Sequence, residues 1–303
     1  MMSELAGTFF ADRASMVGKV AVVTGAGSGI GLELARRCAL TFGMTVVMGD
    51  VDAEALAREA ARLGPAAVPV VADVRRRADS LRLLEAARRA SSSGRVDCAF
   101  LNAGVAGAGA GVSVLRGSEA DWRWLLDVNL FGLLHGLQVF GPAMAAQGGA
   151  PGLLAVTASD RGLDVGGLPG CTAAYATSKH GAVAMCEALE GELTTAGLGG
   201  RVQLSVLCAG LVNSNLWAHD RAEAQRDAAD RSGVQAKKSQ RMIFESMGTS
   251  VADTVDTFFE GVVRGQFICD SVPGQAQETF ARRAAYIMEG RMPSDARMKW
   301  SKL

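Results

Sequence analysis

Charge of one sign is what this sequence most plainly lacks. Lysine plus arginine number 31 and aspartate plus glutamate number 31, so the formal net charge is zero. A nucleic-acid binder normally shows a basic excess or a basic stripe. Neither is present, and nucleic acid is not an expected partner. Histidine is scarce. His135, His180 and His219 share no metal-ligand spacing, so no metal site is expected. The six cysteines (Cys38, Cys98, Cys171, Cys186, Cys208 and Cys269) include no CxxC pair. They read as reduced, mostly buried thiols, which implies a cytoplasmic location. No uninterrupted apolar run approaches the roughly 18 residues that span a bilayer. The first residues carry Glu4 and Asp12 and no apolar stretch, unlike a secretory signal. No membrane partner is expected. Hydrophobic residues are plentiful, at 49% against 20% charged. That balance builds a core and excludes disorder for most of the chain.

Residues 1–17 show no periodicity and read as a short N-terminal leader. From Lys19 two kinds of segment alternate. Short β-branched apolar runs lie at Val20–Thr24, Thr45–Met48, Ala67–Ala72, Asp97–Leu101, Leu153–Thr157 and Val202–Leu207. Continuous apolar runs of this kind suit strands buried on both faces of a parallel sheet. Between them lie stretches of helical spacing at Gly29–Phe42, Ala53–Leu63, Ser80–Ala90, Glu119–Met144 and Ala173–Ala196. Strand–helix alternation predicts an α/β fold, a doubly wound parallel sheet with helices on both faces. Val251–Val263, Gln266–Cys269 and Gln275–Glu289 read as helix, short strand and helix, a small C-terminal helical appendage. Residues 18–303 form one domain. Within it, residues 218–247 make a variable segment, and polar Ala218–Gln240 reads as a solvated helical excursion.

The first strand runs into Thr24-Gly25-Ala26-Gly27-Ser28-Gly29-Ile30-Gly31. A glycine-rich turn lets backbone approach a phosphate, and the helix that follows offers free N–H groups and a partial positive charge. Such a turn carries little weight alone; its place between a strand and a helix is what the mechanism demands. Asp50 closes the second strand about 20 residues on, where an acidic side chain accepts hydrogen bonds from an adenosine ribose and repels a 2′-phosphate. Its neighbours, Gly49 and Val51, bring no cation. The pattern predicts a Rossmann-like dinucleotide site that takes NAD, with NADP less favoured.

The TGxxxGxG form of this turn resembles the short-chain dehydrogenase/reductase family, and the likeness continues in order along the chain. Asp73-Val74 follows the third strand. Leu101-Asn102-Ala103-Gly104 resembles the family's NNAG element, with its first Asn replaced by Leu. Val128-Asn129-Leu130 matches a helix-embedded Asn. Thr157-Ala158-Ser159 ends the fifth strand, where the family places its active-site Ser. Tyr175-Ala176-Thr177-Ser178-Lys179 matches YxxxK. Ala209-Gly210-Leu211-Val212-Asn213-Ser214 matches PGxVxT, with Pro replaced by Ala and Thr by Ser. The resemblance covers about Gly18 to Asn215 and fades towards Met292. It implies that Asn129, Ser159, Tyr175 and Lys179 are catalytic. It also implies that Gly25, Ser28, Gly29, Ile30, Gly31, Asp50, Val51, Asp73, Val74, Asn102, Ala103, Gly104, Tyr175, Lys179, Gly210, Val212 and Ser214 hold the cofactor. By the same analogy Asn129 kinks its helix and links the Lys to a proton path, and the protein is a homodimer or homotetramer.

The residues support these roles independently. Tyr175 and Tyr286 are the two tyrosines of the chain. Tyr175 lies four residues before Lys179, on one face of a helix. A general base works best near ambient pH, so a phenol must drop by roughly 3 units, about 4 kcal/mol. One ammonium about 4 Å away at an effective dielectric near 20 supplies about that much. Ser159 can donate to an oxygen that gains charge. It lies 16 residues before Tyr175, while the family's usual interval lands on Gly162, so Asp160–Thr172 reads as a lengthened loop. Thr157 and Thr172 are alternative donors. His180, Cys171, Arg75–Arg77, Trp122 and Trp124 read as structural or solvated. The walls of the substrate site are expected in Val105–Gly117, Asp160–Thr172 and Leu211–Met247. They are rich in apolar side chains (Leu163, Val165, Leu168, Leu211, Trp217, Met242, Phe244 and Met247). The expected substrate is a fairly apolar secondary alcohol or ketone, cyclic or aromatic. Two other functions fit the fold: a non-catalytic NAD-sensing regulator, and a cofactor-retaining epimerase or dehydratase.

Overall fold

The computed structural model describes residues 10–106, 114, 117–165, 173–214, 216 and 246–289. Among them, seven strands form one sheet: β1 (Val20–Thr24), β2 (Thr45–Asp50), β3 (Ala67–Val71), β4 (Cys98–Leu101), β5 (Gly152–Thr157), β6 (Val202–Cys208) and β7 (Ile268–Asp270). Their order is β3-β2-β1-β4-β5-β6-β7, and every pair is parallel. The chain begins at the centre, winds out to β3, returns to β4 and winds the other way. The reversal falls between β1 and β4. In open α/β sheets ligands bind outside the carboxyl ends of the strands at such a point.

The α-helices among the described residues are α1 (Gly29–Arg36), α2 (Ala53–Leu63), α3 (Arg77–Ala90), α4 (Glu119–Leu126), α5 (Gly132–Ala146), α6 (Ala173–Thr195), α7 (Val251–Val263) and α8 (Gln275–Met288). The period-2 alternation of β1 divides the core. Ala21 and Val23 pack with Leu34, Leu56 and Phe258 from α1, α2 and α7. Val20 and Val22 pack with Leu83, Phe140 and Val183 from α3, α5 and α6. The α/β arrangement expected from the sequence is therefore present, with helices on both faces. On the first face Phe10, Phe42, Phe100, Phe258 and Phe259 form one aromatic cluster, with centroids 4.5 to 6.5 Å apart. Phe10 and Met16 are 6% and 0% exposed. The described end of the expected leader thus belongs to the core.

Several boundaries differ from the periodicity for identifiable reasons. β2 continues two residues past Met48 to Asp50, because Gly49 leaves room for Leu83; a Cβ there would lie 2.9 Å from Leu83 Cδ2. β3 is an edge strand, with Val71 50% exposed, and the edge tolerates Pro69. The strand expected at Gln266–Cys269 starts at Ile268. Gly265 (φ 69°) and Gln266 instead close α7 through N–H bonds to the Val262 and Gly261 carbonyls, a glycine-based helix stop. Two long helical stretches contain π-helical turns, at Arg37–Thr41 and at Asp127–Phe131. Each adds a residue to a turn, which a 3.6-residue period does not register. The second turn joins α4 to α5. By length and composition Glu119–Ala146 could cross a membrane, but Leu133, Leu137, Phe140 and Met144 are core residues. The polar segment 218–240, Cys171, Thr172, Leu168, Trp217, His219, Met242 and Phe244 lie outside the described residues.

Candidate active site

A cavity of about 470 Å³ opens at the carboxyl ends of the strands around the winding reversal. Its floor begins at the glycine turn. Gly25 adopts φ 69°, and a Cβ there would meet Ala103 Cα at 2.9 Å. Ser28, Gly29 and Ile30, at the N-terminus of α1, line the cavity. Ser28 makes no side-chain capping bond, so the positive end of the helix faces this space. Gly31 does not line it. A Cβ on Gly31 would fall 2.1 Å from the Gly25 carbonyl oxygen. It packs the helix closely on the turn, while the other residues expected around the cofactor line the cavity.

At one end of the cavity, Asp50 Oδ2 accepts from Gly27 N at 2.8 Å and Oδ1 from Asp52 N at 3.0 Å. The carboxylate thereby closes the glycine turn and sits at the lip beside Val51. Asp73, Val74 and Arg75 form the facing wall. Arg75 grips Asp73 through Nε–Oδ1 at 3.0 Å and Nη2–Oδ2 at 2.7 Å. Those hydrogen bonds hold the Asp73 carboxyl below the usual carboxylate range. Buried Asp79 accepts from Asp73 N at 2.9 Å and is itself held by Arg76 and Arg82. The run Arg75–Arg77, read from the sequence as a solvated helix start, thus divides. Arg75 is part of the cavity wall, Arg76 braces the turn, and exposed Arg77 opens α3.

At the other end α6 presents Tyr175 and Lys179, which are 9% and 4% exposed. The Lys179 ammonium donates to the Thr157 carbonyl at 2.8 Å and lies 5.6 Å from the Tyr175 ring centroid. Burial pulls its pKa down to about 8, so it remains protonated at neutral pH. Asn129 sits in the π-helical turn. Its Oδ1 accepts from Val105 N, and its Nδ2 donates to Val105 O and Ser178 Oγ, at 2.8, 2.8 and 3.1 Å. The side chain therefore ties the loop after β4 to α6 and does not reach the cavity lining. Ser159 is also outside that lining. Its Oγ accepts from Arg161 N at 3.2 Å, capping the turn Asp160–Gly162, and lies 3.0 Å from Asp160 Oδ1 and 3.1 Å from the Ala209 carbonyl. Thr157 and Ala158 are the β5-end residues in the wall.

One network connects the two ends. Thr24 Oγ1 accepts from Asn102 N at 2.9 Å and Ala103 N at 3.1 Å. Asn102 Nδ2 donates to Thr24 O, and Thr157 Oγ1 donates to Asn102 Oδ1. The strand that ends in the glycine turn is thus linked to the carbonyl that holds Lys179. Thr24→Val keeps the shape and removes the acceptor of two backbone N–H groups. It is expected to destabilise the fold by about 2 kcal/mol, read as a lower urea midpoint. An unchanged midpoint would show that the network carries no weight.

Comparison with known proteins agrees with this arrangement. The family profile described as short chain dehydrogenase matches residues 19–225. The chain belongs to the short-chain dehydrogenase family. It is 34% identical over 234 residues to the 1-deoxy-11-beta-hydroxypentalenate dehydrogenase of Streptomyces exfoliatus, covering 76% of this chain and 80% of that one. It is 39% identical over 132 residues to the galactitol 2-dehydrogenase (L-tagatose-forming) of Cereibacter sphaeroides, covering 43% and 49%. A crystal structure of a short chain dehydrogenase/reductase from Burkholderia phymatum in complex with NAD superposes with a TM-score of 0.80 at 34% identity, covering 92% of this chain and 98% of that one. As a family member the chain is an oxidoreductase of alcohol and ketone groups that uses a nicotinamide cofactor and a small-molecule substrate.

Every cofactor residue expected from the sequence except Gly31 lines the cavity. Val105 and Leu216, from segments expected to form substrate walls, line it too, and so do Arg75, Trp124 and Val128, which the sequence does not mark as site residues. The sequence alone suggests a helix-packing role for Trp124. It stands one turn before Val128, and that i,i+4 pairing was the available signal. Trp122, Trp124, Val128 and Leu216 pack against the apolar group of Val105, Leu125, Ala174 and Tyr175.

Proposed function

We propose that this short-chain dehydrogenase interconverts a fairly apolar secondary alcohol and its ketone, with NAD as the hydride acceptor and Tyr175 as the general acid/base. The observation that carries the reading is the pairing of Tyr175 with a buried ammonium at one end of a cavity whose other end carries Asp50. The residues suit a nicotinamide dinucleotide. Backbone without Cβ atoms surrounds the α1 N-terminus at Gly25 and Gly29, an anion-binding arrangement. Asp50 supplies a ribose acceptor, Ser214 lies against Gly29, and Lys179 lines the cavity beside Tyr175. When bound, the cofactor supplies a carbon that takes or gives hydride.

The chain's own residues do the rest. Tyr175 takes the proton of the alcohol. The Lys179 ammonium, 5.6 Å from the Tyr175 ring centroid, favours the phenolate over the neutral phenol, because an opposite charge nearby stabilises the charged form. Thr157 fixes the amine through its carbonyl, and Asn129 fixes α6 through Ser178. Ser159 orients the substrate oxygen in this proposal, which requires its hydroxyl to leave Asp160 and Ala209. The apolar group around Tyr175, including Trp124 and Leu216, favours bulk over charge in the substrate. A cytoplasmic location and a homo-oligomer belong to the same reading.

The Asp50 carboxylate at the lip supports NAD over NADP, because a 2′-phosphate there would face a like charge, while the nearby Arg75 is already paired with Asp73. We expect kcat/KM with NAD to exceed that with NADP at least tenfold, about 1.4 kcal/mol, and Asp50→Ser to narrow the ratio. An NAD⁺-reduction screen over secondary alcohols of graded size tests the whole reading. Equal rates with both cofactors would overturn the role of Asp50. Rates that follow substrate charge instead of apolar bulk would overturn the substrate class.

A further inference from the structure

The wall that faces Asp50 holds two charged side chains locked on each other. Asp73 and Arg75 both line the cavity just past β3. Asp73 Oδ1 accepts from Arg75 N and from Arg75 Nε, each at 3.0 Å. Asp73 Oδ2 accepts from the same Nε at 3.1 Å and from Nη2 at 2.7 Å. A carboxylate offers about four acceptor positions, and Arg75 takes them all. The Asp73 side chain is 16% exposed and that of Arg75 44%, so the guanidinium is the outer partner. Its Nη1 makes no hydrogen bond among the described residues. The seat of the pair is firm. A Cβ on Gly132 would lie 2.8 Å from Val74 Cγ2, so Val74 is wedged on α5. His135 Nδ1 donates to the Val74 carbonyl at 3.1 Å, since a carbonyl can only accept. Arg76 N donates to Asp73 O at 2.9 Å.

We propose that Arg75 is the residue that reads the adenine of the cofactor, with Asp73 acting only as its holder. The inference rests on the reading of the cavity as a dinucleotide site with the adenosine ribose at Asp50. The base then belongs with the wall of Val51, Val74 and Arg75. Adenine brings an exocyclic amino group, which donates, together with ring nitrogens that accept and a flat π face. A free carboxylate beside the base would accept from the amino group and so favour adenine over a 6-oxo purine. With Asp73 fully taken up by Arg75, that preference has no acceptor behind it. The wall offers a planar guanidinium instead, which stacks on a ring and carries donors for ring nitrogens or an oxo group. Stacking is indifferent to the identity of the base, because every base has a π face. The site therefore tolerates an exchange of the 6-amino group for oxygen, and Arg75 is the cause.

Three probes test this by fluorescence titration: NADH, reduced nicotinamide hypoxanthine dinucleotide (deamino-NADH), and reduced nicotinamide mononucleotide, which lacks the adenosine half. Kd values are measured for the wild type, Arg75→Leu and the double variant that adds Asp73→Asn. The wild type is expected to bind NADH and deamino-NADH within threefold of each other. Arg75→Leu releases the carboxylate and is expected to favour NADH at least tenfold. The double variant is expected to return to within threefold, because an amide can turn either its oxygen or its NH₂ to the base. The mononucleotide Kd is expected to stay within twofold throughout. A tenfold preference of the wild type for NADH overturns the proposal, and so does an unchanged ratio in Arg75→Leu. Parallel loss of mononucleotide binding in Arg75→Leu also overturns it, since Arg75 would then support the whole site. If the wild type binds NADPH in place of NADH, the reading of Asp50 has failed on its own account. The same ratios, taken with NADPH and deamino-NADPH, then decide the role of Arg75.

Discussion

Replacing Tyr175 with phenylalanine is expected to lower kcat/KM by about 10³ while NADH binds as before. The proton-transfer role of a positioned acid/base is worth about 10² to 10⁴, and the substitution removes the hydroxyl alone. The ring stays where it is, 9% exposed in the cluster of Val105, Leu125 and Ala174. No cavity opens, and the glycine turn, Asp50 and the Asp73–Arg75 wall are untouched. The measurement pairs steady-state kinetics with NADH fluorescence titration. Activity within tenfold of wild type would remove Tyr175 from the proposed chemistry. Loss of NADH affinity in parallel would show that the hydroxyl serves binding instead.

Lys179→Met is expected to reduce turnover by about 10² and yet leave the protein at least as stable as wild type at pH 7. Burial lowers the Lys179 pKa from 10.5 to about 8. Between these values the unfolded chain binds a proton that the folded chain has released. Wild-type stability therefore rises with pH across that window, and below pH 8 the full burial penalty applies, roughly 3 kcal/mol. Methionine removes the penalty and keeps most of the apolar stem. Against this stands the Thr157 carbonyl, which loses its donor at a cost of about 1–3 kcal/mol. The stability advantage of the variant over wild type is expected to shrink by roughly 3 kcal/mol between pH 7 and pH 10.5, read from urea unfolding at several pH values. Parallel stability curves for the two proteins would show that the ammonium is not desolvated in the folded state.

The architecture was legible because its causes are local or periodic. Runs such as Val20–Val23 are apolar at every position, which suits a strand covered twice, and they alternate with amphipathic helices. The glycine turn and the Tyr175–Lys179 spacing are legible for the same reason, since four residues along a helix return to one face. The π-helical turn at Asp127–Phe131 escaped because one added residue leaves the surrounding apolar pattern intact. Trp124 in α4 and Arg75 in the turn after β3 look like packing and solvent residues in the sequence, because neither periodicity nor spacing shows which of them meets a cavity. For Gly31 the motif shows that glycine is needed, and the fold shows that the Gly25 carbonyl lies against it.

From residue order and chemistry alone follow the parallel α/β sheet, the dinucleotide turn with its acidic partner, and the phenol–ammonium pair, since each depends on neighbours within a few positions or on a repeating period. The folded molecule was needed to show that Ser159 caps a turn, that Asn129 braces Val105 and Ser178, and that Arg282 bonds Asp164 and Arg283 bonds His180 from more than a hundred residues away. Such contacts depend on where separate elements meet in space, and neither spacing nor periodicity records that.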